Sequence, residues 1–137
     1  MSQSMNPPAT RGQCQTIDLL GKIAQIDGHW QPRVVAEMND YQFKVVKVEG
    51  DFVWHSHADT DETFIVLEGE LRIEFRGPSG DGAIVLRPGQ MAVVPQGTEH
   101  RPCAKTEVKL LLIEPRGVQN TGDGATSERT VANDQWI

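Results

Sequence analysis

The chain has 137 residues, of which 38% are apolar and 23% charged, with a formal net charge of −6. That length suits one domain with a real hydrophobic core and leaves no room for two. The acidic balance argues against a nucleic-acid partner, which needs a basic face, and against an anionic membrane surface. No apolar run approaches the ~20 residues of a membrane span. The first residues, Met1 to Arg11, are polar and lack the apolar core of a signal peptide. Cys14 and Cys103 form no disulfide framework and read as reduced thiols, so a cytoplasmic location is expected.

Residues 1–15, rich in Ser, Gln, Pro and Thr, read as a disordered leader. From Thr16 the texture changes. Ile17, Leu20, Ile23 and Ala24 recur at helical spacing, which predicts a short amphipathic helix with Thr16 as its cap and Gly21 as a weak point. Asp27-Gly28 ends it.

From Arg33 onward the chain is a series of short apolar runs broken every eight to twelve residues by Gly, Pro, Asp or Asn. The runs are Val34–Met38, Tyr41–Glu49, Phe52–His57, Thr63–Leu67, Glu70–Arg76, Ala83–Leu86, Gln90–Val94, Glu99–Ala104 and Val108–Ile113. Within Tyr41–Glu49 the apolar phase changes, from odd positions (Tyr41, Phe43, Val45) to even ones (Val46, Val48). Such a slip predicts a bulge or a strand passing between two sheets. Nine or ten short strands with tight turns imply an all-β sandwich or barrel rather than a βαβ fold. Beyond Glu114 the alternation stops. Residues 116–137 read as a tail whose Val131, Trp136 and Ile137 dock back on the barrel of residues 16–115, with Trp burial helping to order it.

Two stretches carry chemistry. Between Gly50 and Gly69 lie His55, His57 and Glu62. On an extended strand His55 and His57 point to one side. Asp59-Thr60-Asp61 supplies the turn that folds Glu62 back toward them. The second stretch, Gly89 to His100, places a Pro95-x-Gly97 turn just before His100 and so fixes where that ring points. Three imidazoles and one carboxylate suit a divalent transition metal and leave coordination positions open. The set does not choose between Zn, Fe, Mn and Ni.

Together these stretches resemble the two motifs of the cupin superfamily. The first is Gly50, His55, His57, Glu62 and Gly69; the second is Gly89, Pro95, Gly97 and His100, with Ala104 where the family has Asn. The opening gap of the first motif is four residues against the family's five, and 19 residues separate the motifs. Trp54 and Asp61 add a likeness to small single-domain cupins of the mannose-6-phosphate isomerase-like kind. The resemblance implies a double-stranded β-helix, a jelly-roll barrel with His55, His57, Glu62 and His100 as metal ligands inside its mouth. It also implies a homodimer formed through Arg33 to Val48.

The other candidates have ordinary readings. His29 reads as a surface or interface residue, and Glu99, Glu68, Glu70, Arg72 and Arg76 as solvated charges. Tyr41, Phe43, Phe64 and Met91 read as core or pocket lining, while the parities of Trp54 and Cys103 direct both away from the ligands. No general acid or base beyond the ligands is evident, and only Arg33, Lys44, Lys47 and Arg101 could hold a phosphate. The functional expectation is a metal-dependent enzyme of isomerase, lyase or dioxygenase type acting on a small polar substrate. The alternative is a module that binds or senses a metal and a small ligand without turning it over.

Overall fold

The computed structural model describes residues 14–78, 80–123 and 127–137, so the predicted leader lies almost wholly outside the described residues. Among the described residues seven strands follow one short helix: α1 (Leu19–Ile23), β1 (Arg33–Met38), β2 (Tyr41–Asp51), β3 (Glu62–Glu68), β4 (Leu71–Arg76), β5 (Gly82–Leu86), β6 (Met91–Val94) and β7 (Glu99–Pro115). All pairings between them are antiparallel, in the order β1-β2-β7-β3-β6, with β4 joining β7 to β5. The all-β expectation with a short N-terminal helix holds.

The strand count is lower than predicted because two runs fuse. Glu99–Ala104 and Val108–Ile113 form one 17-residue strand. Its first part pairs with β4, and its second part pairs with β3. The exposed Lys105–Glu107 segment marks the crossing from one sheet to the other, opposite a register shift between Val48 and Gly50 in β2. Phe52–His57, predicted as a strand, is extended chain tied down by the His55–His100 bridge and by isolated backbone hydrogen bonds such as Phe52 N to Pro102 O at 2.9 Å.

Strand parity builds the interior. On β7 the buried series is His100, Pro102, Ala104, Val108, Leu110, Leu112 and Glu114, all at even positions. Glu62, Phe64 and Val66 of β3 and Leu71 and Ile73 of β4 are buried likewise. The main core joins Val46, Val48, Phe64, Val66, Ile73 and Leu110 inside the barrel. A second cluster, Ile23, Ile26, Val35 and Val45, packs under α1, with Phe43 and Ile137 at its margin.

The two clusters explain the apparent phase change in β2. The even parity runs unbroken through Gln42, Lys44, Val46 and Val48, all buried. Val45 is buried as well, in the cluster that contains α1, so the strand is covered on both faces. No slip occurs at that point; two inward polar residues imitate one, and the real bulge comes after Val48.

Two further expectations change. Asp18, not Thr16, caps α1: its carboxylate accepts the Gly21 N–H at 3.1 Å. A Cβ on Gly21 would fall 2.6 Å from that carboxylate, so the glycine that weakens helix propensity also makes room for the cap. Tyr41 and Met91 are exposed rather than core, because both lie on the outward parity of their strands. The C-terminal segment docks as expected, through Val34 N to Gln135 O (2.7 Å) and Ile137 N to Val34 O (3.1 Å). Trp136 is only half-buried, so backbone pairing and Ile137 hold it more than the indole does.

Gly69 sits at φ +89°, and an added Cβ would lie 2.8 Å from the Glu107 carbonyl oxygen and 3.1 Å from Val108 Cα. Gly69→Ala is expected to destabilise the protein by about 2–4 kcal/mol, combining left-handed strain with a backbone clash. Chemical denaturation measures this, and an unchanged midpoint would contradict the close approach.

Candidate metal centre

The site begins with backbone. His55 and His100 face each other as an isolated antiparallel bridge, His55 N to His100 O at 3.1 Å and His100 N to His55 O at 2.9 Å. Cross-strand partners project to the same face, so both rings enter the interior together. Each ring is then oriented by a carbonyl two residues earlier. His55 Nδ1 donates to Val53 O and His100 Nδ1 to Thr98 O, both at 2.9 Å. A carbonyl only accepts, so each Nδ1 carries the proton and leaves Nε2 as the coordinating atom.

His57 follows on the same parity and is buried like His55. The Pro95–Gly97 turn anchors it: Gly97, at φ +78°, donates its N–H to the His57 carbonyl at 2.8 Å. Gln96 N donates to Asp61 Oδ1 at 2.9 Å, tying the same turn to the loop that precedes Glu62. Glu62 opens β3 facing inward, with Oε1 3.1 Å from His100 Nε2 and 3.4 Å from His57 Nε2.

Ligating atoms from His55, His57, Glu62 and His100 lie within 4.8 Å of one another, and all four side chains are buried. Two ligands each ~2.1 Å from an ion sit ~3.0 Å apart at a right angle, ~3.4 Å at the tetrahedral angle and ~4.2 Å when opposed. The spacings here fit such a cage after small inward movement. His57 Nε2 is buried with no hydrogen-bond partner, since its 3.4 Å approach to Glu62 lacks hydrogen-bond geometry. A buried, orphaned nitrogen aimed at three other donors is what a metal ligand looks like without its ion. The residues fit a divalent metal.

Electrostatics agree. Burial, with His100 nearby, lowers the His55 pKa to about 4, so that ring stays neutral and available. Burial works against charge on His57 as well, but Glu62 outweighs it and raises the pKa. Burial likewise opposes ionisation of Glu62, yet contacts from His100 and His57 hold its pKa well below the carboxylate range.

Behind the ligands lies a cavity of about 40 Å³, several times the ~10–15 Å³ that one water needs. His55, Glu62 and Glu114 supply polar lining, and Trp30, Phe52 and Phe64 are among its apolar walls. Trp30 stacks on Phe52 at 4.6 Å, and Phe52 meets the edge of His55 at 5.2 Å. Trp30 adopts φ +63°, a strained conformation for a bulky residue, held by its N–H to Lys47 O and its indole N–H to Glu49 O.

Sequence reasoning missed Glu114. It ends the inward series of β7, with Oε1 3.1 Å from Lys44 Nζ and Oε2 buried without a partner. Burial, with Glu62 nearby, raises its pKa. Its even parity, shared with His100, was the available signal. Lys44 is therefore committed to Glu114 inside the barrel. Arg101 is held by Glu74 at 2.7 Å, Arg33 by the carbonyls of Gln31 and Pro32 at 3.2 Å, and Lys47 has the outward parity of its strand.

The remaining candidates stand where expected. Arg76 and Arg101 lie over the Trp54 ring at 4.0 and 5.1 Å. His29 pairs with Glu107 at 2.7 Å on the surface. Cys103 pairs in register with Asp51, and burial followed by Asp51 raises its thiol pKa to about 11, so it is neither nucleophile nor ligand. Glu99 pairs with Arg76 rather than standing alone in solvent.

The C-terminal segment closes over the ligand loop. Asp123 N donates to Ser56 O at 3.0 Å, and Asp123 Oδ2 accepts Ala58 N–H at 2.5 Å. Gly122, at φ +74°, lies against Ser56, and an added Cβ would lie 3.2 Å from the His55 ring.

Fold and site together define a cupin barrel with a His-His-Glu-His group suited to a metal ion. The cupin domain model matches residues 42–114, more than half of the chain, and the chain belongs to that family. It is similar to a cupin-2 domain protein of Shewanella frigidimarina NCIMB 400, at 59% identity and TM-score 0.69, covering 73% of this chain and 94% of that one. Among curated proteins it resembles YdbB of Bacillus subtilis (strain 168), an uncharacterised protein, at 36% identity over 58% of this chain and 68% of that protein. Hydroquinone 1,2-dioxygenase from Sphingomonas sp. TTNP3 shares the fold at 20% identity and TM-score 0.60, over 78% of this chain and 84% of that one.

Two outcomes are expected. His57→Ala leaves a folded barrel with sharply reduced metal content by elemental analysis, whereas Gly122→Ala, which touches no metal, lowers affinity about tenfold because its Cβ strikes the Ser56 carbonyl oxygen and displaces the loop between His55 and His57. Metal must also displace the proton that Glu62 favours on His57, so binding releases protons and weakens as pH falls from about 8 to about 5. Calorimetric titration across that range checks the sign; a flat affinity would rule out the histidine ligands.

Proposed function

We propose that this cupin is a mononuclear divalent-metal enzyme of dioxygenase or lyase type, acting on a small molecule with a largely apolar body. One observation carries the reading: His55 and Glu62 form part of the wall of a cavity larger than one water, so the ligand set faces room for a substrate. Structural zinc sites, by contrast, are mostly closed and cysteine-rich.

The pocket disfavours the sugar-phosphate isomerase reading. A phosphate needs cationic donors aimed at it. Arg33 and Arg101 are held by other partners, Lys44 is committed to Glu114, and Glu62 and Glu114 would repel an anion. The expected polar substrate narrows accordingly to an apolar body with a polar end, matched to apolar walls such as Trp30, Phe52 and Phe64.

His55, His57, His100 and Glu62 hold and orient the ion. When bound, a divalent metal supplies Lewis acidity, and iron adds redox chemistry with dioxygen. Trp30, Phe52 and Phe64 limit water around the reacting groups, which strengthens every polar interaction there.

The test is elemental analysis of protein purified without added metal or chelator, followed by oxygen-uptake and elimination assays on small aromatic and aliphatic compounds. Near-stoichiometric metal with turnover of an apolar-bodied substrate is the expected result. Full metal occupancy with no turnover across the panel would make the protein a binding or sensing module instead.

A further inference from the structure

We infer that Glu114, held from behind by Lys44, forms the polar end of the ligand pocket, where its Oε2 accepts a hydrogen bond from the hydroxyl of a neutral, small, apolar-bodied ligand. This rests on reading the cavity beside the metal ligands as the substrate pocket.

Placement comes from register. Gln42 pairs with Glu114 and Lys44 with Leu112, so Lys44 and Glu114 are diagonal neighbours on the inner face. On the other side Thr63 pairs with Ile113, which puts Glu62 one step along the same ladder toward Glu114. The carboxylate therefore stands between a lysine on one strand and a metal ligand on another.

The two oxygens of Glu114 are used unequally. Oε1 takes the Lys44 ammonium at 3.1 Å, while Oε2 is buried and has no partner among the described residues. Lys44 makes a second contact, to the Val118 carbonyl at 3.5 Å. A buried acceptor without a donor is costly unless something supplies one. The side chain is 2% exposed and lines the cavity, so a ligand in that cavity can reach it.

Charge and polarity select the ligand. An anion is repelled by Glu114 and Glu62. A cation would lose its hydration against Phe64, Leu110 and Leu112 for one hydrogen bond, a poor exchange. A neutral hydroxyl gives up little solvation and offers the donor that Oε2 lacks. Lys44 is a positioning residue: it holds Oε1 and so turns Oε2 toward the cavity.

The probes are phenol and its methyl ether, anisole, which have similar apolar bodies but differ in the hydroxyl donor. Affinities are measured by ligand-observed NMR on as-purified protein, with metal content determined on the same samples. The wild type is expected to bind phenol at least about tenfold more tightly than anisole. Lys44→Met with Glu114→Leu replaces the pair by apolar residues of similar size, a change barrels tolerate. That double variant is expected to keep its metal and fold and to bring the phenol-to-anisole ratio near one. Glu114→Gln, which retains an oxygen near Lys44, is expected to fall between.

A wild-type ratio near one, no binding of either probe, or an unchanged ratio in the double variant overturns the inference. Loss of metal from the double variant overturns it too, by making Glu114 a ligand of the ion. Absent metal in the wild type, by contrast, speaks against the metal-enzyme reading and leaves the phenol ratio to judge the pocket separately.

Discussion

The backbone bridge between His55 and His100 is the constraint on which the rest depends. It joins two motifs far apart in the chain through a reciprocal pair of hydrogen bonds, which sets both rings on one face without help from side chains. The Val53 and Thr98 carbonyls then select the tautomer of each ring. Once those two nitrogens are placed, only Glu62 and His57 remain to be brought in. Glu62 arrives as the first residue of β3, and the Gly97 N–H fixes the backbone of His57.

A barrel of this size pays for its site with a polar interior. Gln42, Lys44, Glu62 and Glu114 are all inward and buried, on strands whose other inward residues are mostly apolar. Buried ions survive only when paired and hydrogen-bonded, and a buried pair adds little to stability compared with apolar residues of the same size. Stability alone gives no reason to keep Lys44 and Glu114 beside the metal ligands. The cavity does: Glu114 lines it with His55 and Glu62, and Lys44 holds Glu114 in place. Trp30 points the same way, because its positive φ is strain accepted at the pocket wall, where its ring stacks on Phe52, which in turn meets His55.

Legibility in the sequence followed the range of the interactions. The ligand set was readable because His55, His57, Glu62 and His100 stand at fixed offsets from Gly50, Gly69, Pro95 and Gly97. Helix cap and strand count were misread for local reasons. Thr16 and Asp18 are both capping residue types two positions apart, and an exposed Lys105–Glu107 crossing looks like a loop between two strands when it lies within one. Lys44 imitated a phase slip because alternation assumes that the inner face is apolar. Tyr41 and Met91 were apolar residues on the outward parity, which composition cannot distinguish from core.

The sequence by itself determined the family, the all-β architecture and four candidate ligands, since each depends on alternation, turn chemistry and short spacings that the chain carries locally. Only the tertiary structure decided what surrounds those ligands. Glu114 lies beyond both motifs, and its role depends on register against β2 and β3, on which oxygen Lys44 takes and on which walls close around the other. Those are relations between strands, set by hydrogen-bond registry and packing across the barrel, and no single stretch of the chain contains them.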